Sequence, residues 1–174
     1  GLAGTAMLFH IQPILIAALL AYPERAVASA FAFWSVAMFC GLVSGGPIAD
    51  RLPPPAILPV AALGTGVSAL VLQATAAPLQ AGIAMAIFGL SQGWGMAAAG
   101  PAIARFFGRP HHGSIRGFVT TAMVAGTATG PFLLTLLGRM LGDDVRSGLV
   151  AFGIAAVPIA MGAAFATRPA APDA

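Results

Sequence analysis

The charged side chains of this sequence, eight arginines and five carboxylates, fall in short clusters and leave long stretches of the 174 residues without any formal charge. The charge-free stretches run over residues 1 to 23, 26 to 49, 52 to 104, 117 to 138 and 147 to 167, and the third is about twice as long as the others. A helix that crosses a hydrocarbon core of about 30 Å needs roughly 20 apolar residues, so the double run between Arg51 and Arg105 reads as two spans parted near Pro78. The pattern predicts an all-α membrane protein, a bundle of six transmembrane helices at about 2 to 22, 27 to 49, 56 to 77, 79 to 104, 116 to 139 and 147 to 167. The whole chain then forms a single membrane domain.

Composition agrees with that reading. Only 7% of the residues are charged, 59% are hydrophobic and the mean hydropathy is +0.93, whereas a soluble domain carries about one quarter charged residues to face water. The arginines sit at the ends of the predicted spans and make no basic face, which argues against a nucleic-acid partner. Membrane lipids are the expected surroundings. The single cysteine, Cys40, lies inside the second span and is expected as a small core residue. His111 and His112 adjoin Arg109 and Arg116 in a loop, with no cysteine or third histidine to complete a ligand set, so neither a metal nor a cofactor is expected. The sequence opens on Gly1 and enters an apolar helix with no basic leader, which leads to the expectation of a piece of a longer protein.

With six spans, both ends and the loops near 50 to 55 and 105 to 116 share one side of the membrane. Arg51, Arg105, Arg109, Arg116 and Arg168 fall on that side, against Arg25, Arg139 and Arg146 on the other. Positive charge is retained on the cytoplasmic side, so both ends are expected in the cytoplasm, and the membrane is expected to be a bacterial inner membrane. Glycines four apart, Gly89 with Gly93 and Gly126 with Gly130, share a helical face and allow backbones to approach closely. Pro13, Pro101 and Pro131 fall in or near span interiors, where a missing N–H bends a helix.

The second span ends in GPIADRLPPP, in which Gly46 is followed four residues later by Asp50 and then Arg51. This resembles the loop signature of the major facilitator superfamily, where the pattern joins the second and third helices of a six-helix half. The later glycine and basic residues of that signature are replaced here by Pro53, Pro54 and Pro55. GLSQGWGMAAAGPAIARFFGRPHHGSIRG and the following TGPFLLTLLG are similar to the tenth and eleventh helices of such transporters. AMLFHIQPIL, with His10 and Pro13, is similar to the seventh helix of the monocarboxylate and oxalate/formate exchanger branch. The resemblance covers nearly the whole chain. It implies half of a twelve-helix secondary active transporter, the C-terminal half, whose partner is the N-terminal six-helix half of the same protein. It also implies transport of a small solute by alternating access, driven by an ion gradient, with an organic anion as the solute of that branch.

Asp50 is informative without the family. A carboxylate at the C-terminal end of its own helix faces the negative pole of the helix dipole, which is mildly unfavourable. It then either serves an interaction or marks a solvated loop. Arg51, Arg116 or the free amides of a neighbouring helix N-terminus are the candidate partners. The resemblance implies that this neighbour is the fifth helix of the N-terminal half, in a latch of the outward-facing state.

No Asp, Glu, Lys or Arg lies well inside a predicted span, although such charges commonly mark the pathways of carriers. Histidine is the side chain that titrates near neutrality, which makes His10 the candidate proton-binding or anion-binding group, against the alternative of a hydrogen-bonded packing residue. Trp34 and Ser35 in the second span, Gln92 and Trp94 in the fourth, and Thr120 and Thr127 in the fifth are the further candidates. Thr120 and Thr127 are seven residues apart and share a face. The family resemblance implies that these four spans line the path, with the third and sixth facing mainly lipid.

Two alternatives differ in class. GLSQG over residues 89 to 93 matches the GxSxG nucleophile pattern, as an intramembrane serine protease using Ser91 would have it. The sixth span offers no histidine to activate that serine, and no enzymatic activity is expected. The other alternative is a stand-alone six-helix channel or carrier that dimerises.

Overall fold

A computed structural model describes residues 2–18, 23–52, 54–107, 112–141 and 145–166. Nearly all of them lie in six α-helices: α1 (Leu2–Ala18), α2 (Pro23–Arg51), α3 (Pro54–Gln73), α4 (Pro78–Phe107), α5 (His112–Leu141) and α6 (Val145–Ala166). Four contain segments long and apolar enough to cross a membrane, namely Glu24–Arg51, Ala56–Gln73, Pro78–Ala104 and Gly113–Leu141. Ser147–Gly162 is a shorter apolar segment. α1 has 17 residues. At 1.5 Å per residue that is about 26 Å, somewhat less than a hydrocarbon core. Residues 19 to 22, read from the sequence as the end of the first span, lie outside the described residues.

The helix ends follow from local chemistry. α2 starts at Pro23, whose fixed φ suits a first helical position, and Glu24 meets the positive pole of the dipole. At its other end α2 runs on to Arg51, and the Leu52 N–H donates to the Ile48 carbonyl at 2.8 Å. Asp50 and Arg51, expected in a loop, therefore occupy the last helical turn. The prolines that follow bias the preceding backbone away from the helical region, and only there does the helix stop.

α3 ends at Gln73, four residues before the expected boundary. The Thr75 N–H turns back to the Leu72 carbonyl at 3.2 Å, and Gln80 Oε1 accepts from the Ala76 N–H at 2.8 Å. Pro78 then opens α4 at a position where an N–H would have no helical partner. Each helix carries one interior proline: Pro13, Pro47, Pro59, Pro101, Pro131 and Pro158.

Helix α4 is central. It lies along α2 and α3, while α1 packs on α5, and α6 packs on α3 and α5. When α1, α2 and α3 are exchanged with α4, α5 and α6, α2 on α4 becomes α5 on α1 and α3 on α6 is unchanged, whereas α3 on α4 and α5 on α6 have no equally close counterpart. Apolar attraction between helices is weak in lipid, so close packing and hydrogen bonds must supply the association. The α2–α4 contact does this with small residues. A Cβ on Gly41 would meet the Leu90 carbonyl at 2.6 Å, and one on Gly93 would meet the Leu42 backbone nitrogen at 2.7 Å. Gly89 likewise lies against the Trp34 carbonyl. In α5, Gly126 is half-buried and Gly130 buried.

Phe88, Met85, Met7, Ile11, Leu72, Leu134 and Leu149 form the centre of the core. A second cluster, Ala49, Ile57 and Ala98 with Trp94 beside it, joins α2, α3 and α4. Cys40 is exposed, not in the core as expected. α2 turns Gly41 and Gly45 toward α4, and this carries Cys40, Phe39 and Val43 to the outer side.

Candidate functional site

The sequence-derived candidates do not converge on one cavity. His10 on α1 reaches α5: its Nδ1 lies 3.0 Å from the Ala6 carbonyl oxygen and its Nε2 lies 3.1 Å from Thr135 Oγ1. Thr135 Oγ1 in turn donates to the Pro131 carbonyl at 2.9 Å. The helix brings the Thr135 hydroxyl to the carbonyl four residues earlier, the usual back-bond of helical threonines. The same side chains line a groove of about 490 Å³ between the two helices, flanked by Phe9 and Phe132 and including Arg139. Thr135 and Arg139 each lie one turn further along α5, so one face carries Pro131, Thr135 and Arg139.

Gln92 belongs to a different space. It is half-buried on α4 against Gly4 of α1, where a Cβ would come 2.5 Å from Gln92 Nε2. With Ser91, Thr65 and Phe152 it borders a mainly apolar cavity of about 460 Å³ among α1, α3, α4 and α6. Ser91 is 6% exposed and donates from Oγ to the Ile87 carbonyl at 2.8 Å, packed against Gly64.

Of the aromatic candidates, Trp94 bonds across two helices and Trp34 packs on the core. Trp94 Nε1 donates to Ser44 Oγ at 3.0 Å, joining α4 to α2. Trp34 packs edge-on against Phe31 with ring centroids 6.3 Å apart, and its Nε1 is buried with no hydrogen-bond partner among the described residues. Ser35 is exposed and donates to the Phe31 carbonyl at 2.9 Å. Thr127 donates to the Met123 carbonyl at 2.8 Å, and Thr120 is exposed on the same helix.

At the other end of α2, Gly46, Asp50 and Arg51 are all exposed, and a Cβ on Gly46 would touch nothing within 4 Å. Among the described residues no ion pair joins Asp50 to Arg51 or Arg116. The side chains of Arg105, Arg109, His111, His112, Arg146 and Arg168 lie outside the described residues. No group of three His, Cys, Asp or Glu that could hold a metal occurs among the described residues.

Sequence reasoning missed Thr135 and Arg139 as companions of His10. The periodicity of α5 places residues 131, 135 and 139 on one face, but nothing in the sequence says which helix that face meets. Compared with family models, with curated proteins and with solved structures, the chain matches none.

Proposed function

We propose that the chain is one six-helix half of a secondary carrier of the major facilitator type, which moves a small solute by alternating access across a bacterial inner membrane. The observation that carries this reading is the part of the helix pairing in which α2 on α4 corresponds to α5 on α1 and α3 on α6 maps onto itself. Such carriers are built from two three-helix repeats in each half, with the substrate path between halves. The pattern Gly46, Asp50, Arg51 at the end of α2 supports the same reading.

The exposed surface supports a second bundle as partner. Residues 116 to 125 of α5 are exposed on every side, Phe118 and Val124 among them at 76% and 59%. α2 is open along Val36, Phe39 and Val43. A second bundle seated there would cover both helices and enclose the α1–α5 groove. Ser91, buried and bonded to its own helix, fits a packing residue better than a protease nucleophile. All six helices are read as spanning, with both ends cytoplasmic.

Uptake into proteoliposomes by the full-length protein, with a panel of small solutes and with or without a proton gradient, tests the reading. Asp50→Asn is expected to slow or abolish uptake with expression unchanged. Undiminished uptake in that variant would remove the latch role of Asp50.

A further inference from the structure

The amide of Gln92 is half-buried, yet no hydrogen bond joins it to another described residue. Its place follows from the spacing of α4. Gly89 and Gly93 take the face toward α2, and Ser91 and Gly95 take the face toward α3. Phe88 and Gln92, four residues apart, share the face toward Gly4 of α1. Having no side chain, Gly4 lets the amide lie against α1, at the wall of the cavity among α1, α3, α4 and α6.

The rest of that wall defines what can meet the amide. Met7, Leu58, Phe152 and Ile159 are apolar, and none of the described lining residues is ionisable. Ser91 and Thr65 each donate to the carbonyl four residues earlier, Ile87 at 2.8 Å and Ala61 at 3.0 Å. Their hydroxyl hydrogens are spent, so toward the cavity these oxygens only accept. Gln92 offers N–H donors and a carbonyl oxygen side by side. An ion entering here loses its hydration and finds no counter-charge, whereas a neutral amide finds a matching donor and acceptor. The volume of about 460 Å³ falls within the range of about 300 to 1,000 Å³ usual for small-molecule sites and is about three times that of a cavity that admits benzene.

We propose that this cavity binds a small neutral carboxamide or lactam with an apolar ring, paired by two hydrogen bonds with the Gln92 amide. The ring lies among Met7, Phe152 and Ile159, and a further N–H donates to Ser91 or Thr65. The site is contained within one bundle, away from the exposed faces of α2 and α5, so it is separate from the solute path of the proposed carrier. An occupant also ties α1, which packs chiefly on α5 and only lightly on α3 and α6, to the rest of the bundle.

Benzamide is the probe, and benzoate, of nearly the same shape, is its charged counterpart. Saturation-transfer NMR of the full-length protein in lipid nanodiscs, titrated with each compound, reads saturable binding, and thermal melting of the same samples reads folding. Benzamide is expected to saturate in about the millimolar range and to raise the melting midpoint by mass action. Benzoate is expected to bind about tenfold more weakly or not at all. Gln92→Leu keeps the bulk of the wall and removes the amide. Benzamide affinity is expected to fall about tenfold in this variant, while the midpoint holds or rises because an unpartnered amide is gone. Ala62→Leu, which extends a half-buried side chain of the wall, is expected to abolish saturable binding.

No saturable benzamide binding by the wild type, equal binding of benzoate, full affinity in Gln92→Leu or binding retained in Ala62→Leu would each overturn the proposal. So would a lower midpoint or a loss of folded protein in Gln92→Leu, which would mean that the amide is already partnered within the protein. Neither measurement reads transport, so the result decides the site apart from the carrier reading.

Discussion

Helices α4 and α5 are each 30 residues long, each carries several glycines and each has one interior proline, yet they are used in opposite ways. Half of the apolar segment of α4 is buried inside the bundle, against 11% of that of α5. Glycine content does not separate them. Gly89 and Gly93 of α4 meet the backbone of α2, whereas a Cβ on Gly113 or Gly117 of α5 would touch nothing within 4 Å. The buried side of α5 is confined to its second half, at Gly130, Leu134 and Gly138. A small residue thus marks a contact only where another helix supplies a matching surface.

The largest effect that would break this contrast is at Gly93. Gly93→Leu forces a side chain into the Met38–Leu42 backbone of α2, and overpacking of this kind costs about 3 kcal/mol or more. Little folded protein is expected on size-exclusion chromatography in detergent. A monodisperse product with wild-type melting would show that α2 and α4 are not held as described.

A smaller loss is expected at the hydrogen bond from Trp94 to Ser44. Ser44→Ala should lower stability by about 1 kcal/mol, read as a lower midpoint in a thermal melt. An unchanged midpoint would mean that the bond adds nothing to the glycine contact around it.

The smallest effect lies on α5 and has the opposite sign. Gly117→Ala is expected to be neutral or to stabilise by about 0.5 to 1 kcal/mol, because the site is helical and open. The same change also tests the proposed covering bundle: on the carrier reading, a fall in uptake without a fall in melting temperature would place this face of α5 against a second bundle.

Much of the helical framework was legible in the sequence. Pro78 as the boundary before α4 and the close approach of Gly89 and Gly93 follow from local rules of composition and backbone freedom, whereas α2 begins at Pro23, four residues before the expected 27. Two details did not follow so directly. Asp50 and Arg51 belong to the helix and not to the loop, since the charges themselves do not break a helix and the prolines after them do. Cys40 faces outward because the glycines beside it claim the side toward α4. The candidates for a substrate path were chosen by side-chain type, and the fold distributes them over a groove at His10, a separate cavity at Gln92, the core beside Trp34, the Trp94–Ser44 bond and the outer faces of α2 and α5.

The sequence by itself determined that six helices form and roughly where each begins and ends; it read all six as spans, and among the described residues four are long and apolar enough to cross a membrane. These are properties of a single segment, set by hydropathy, proline and glycine, and they need no knowledge of neighbours. Only the tertiary structure decided that His10 meets a threonine 125 residues away and shares a groove with Arg139. Which face a helix turns, and toward which other helix, depends on the fit of two surfaces remote in the chain, and no local pattern encodes that fit.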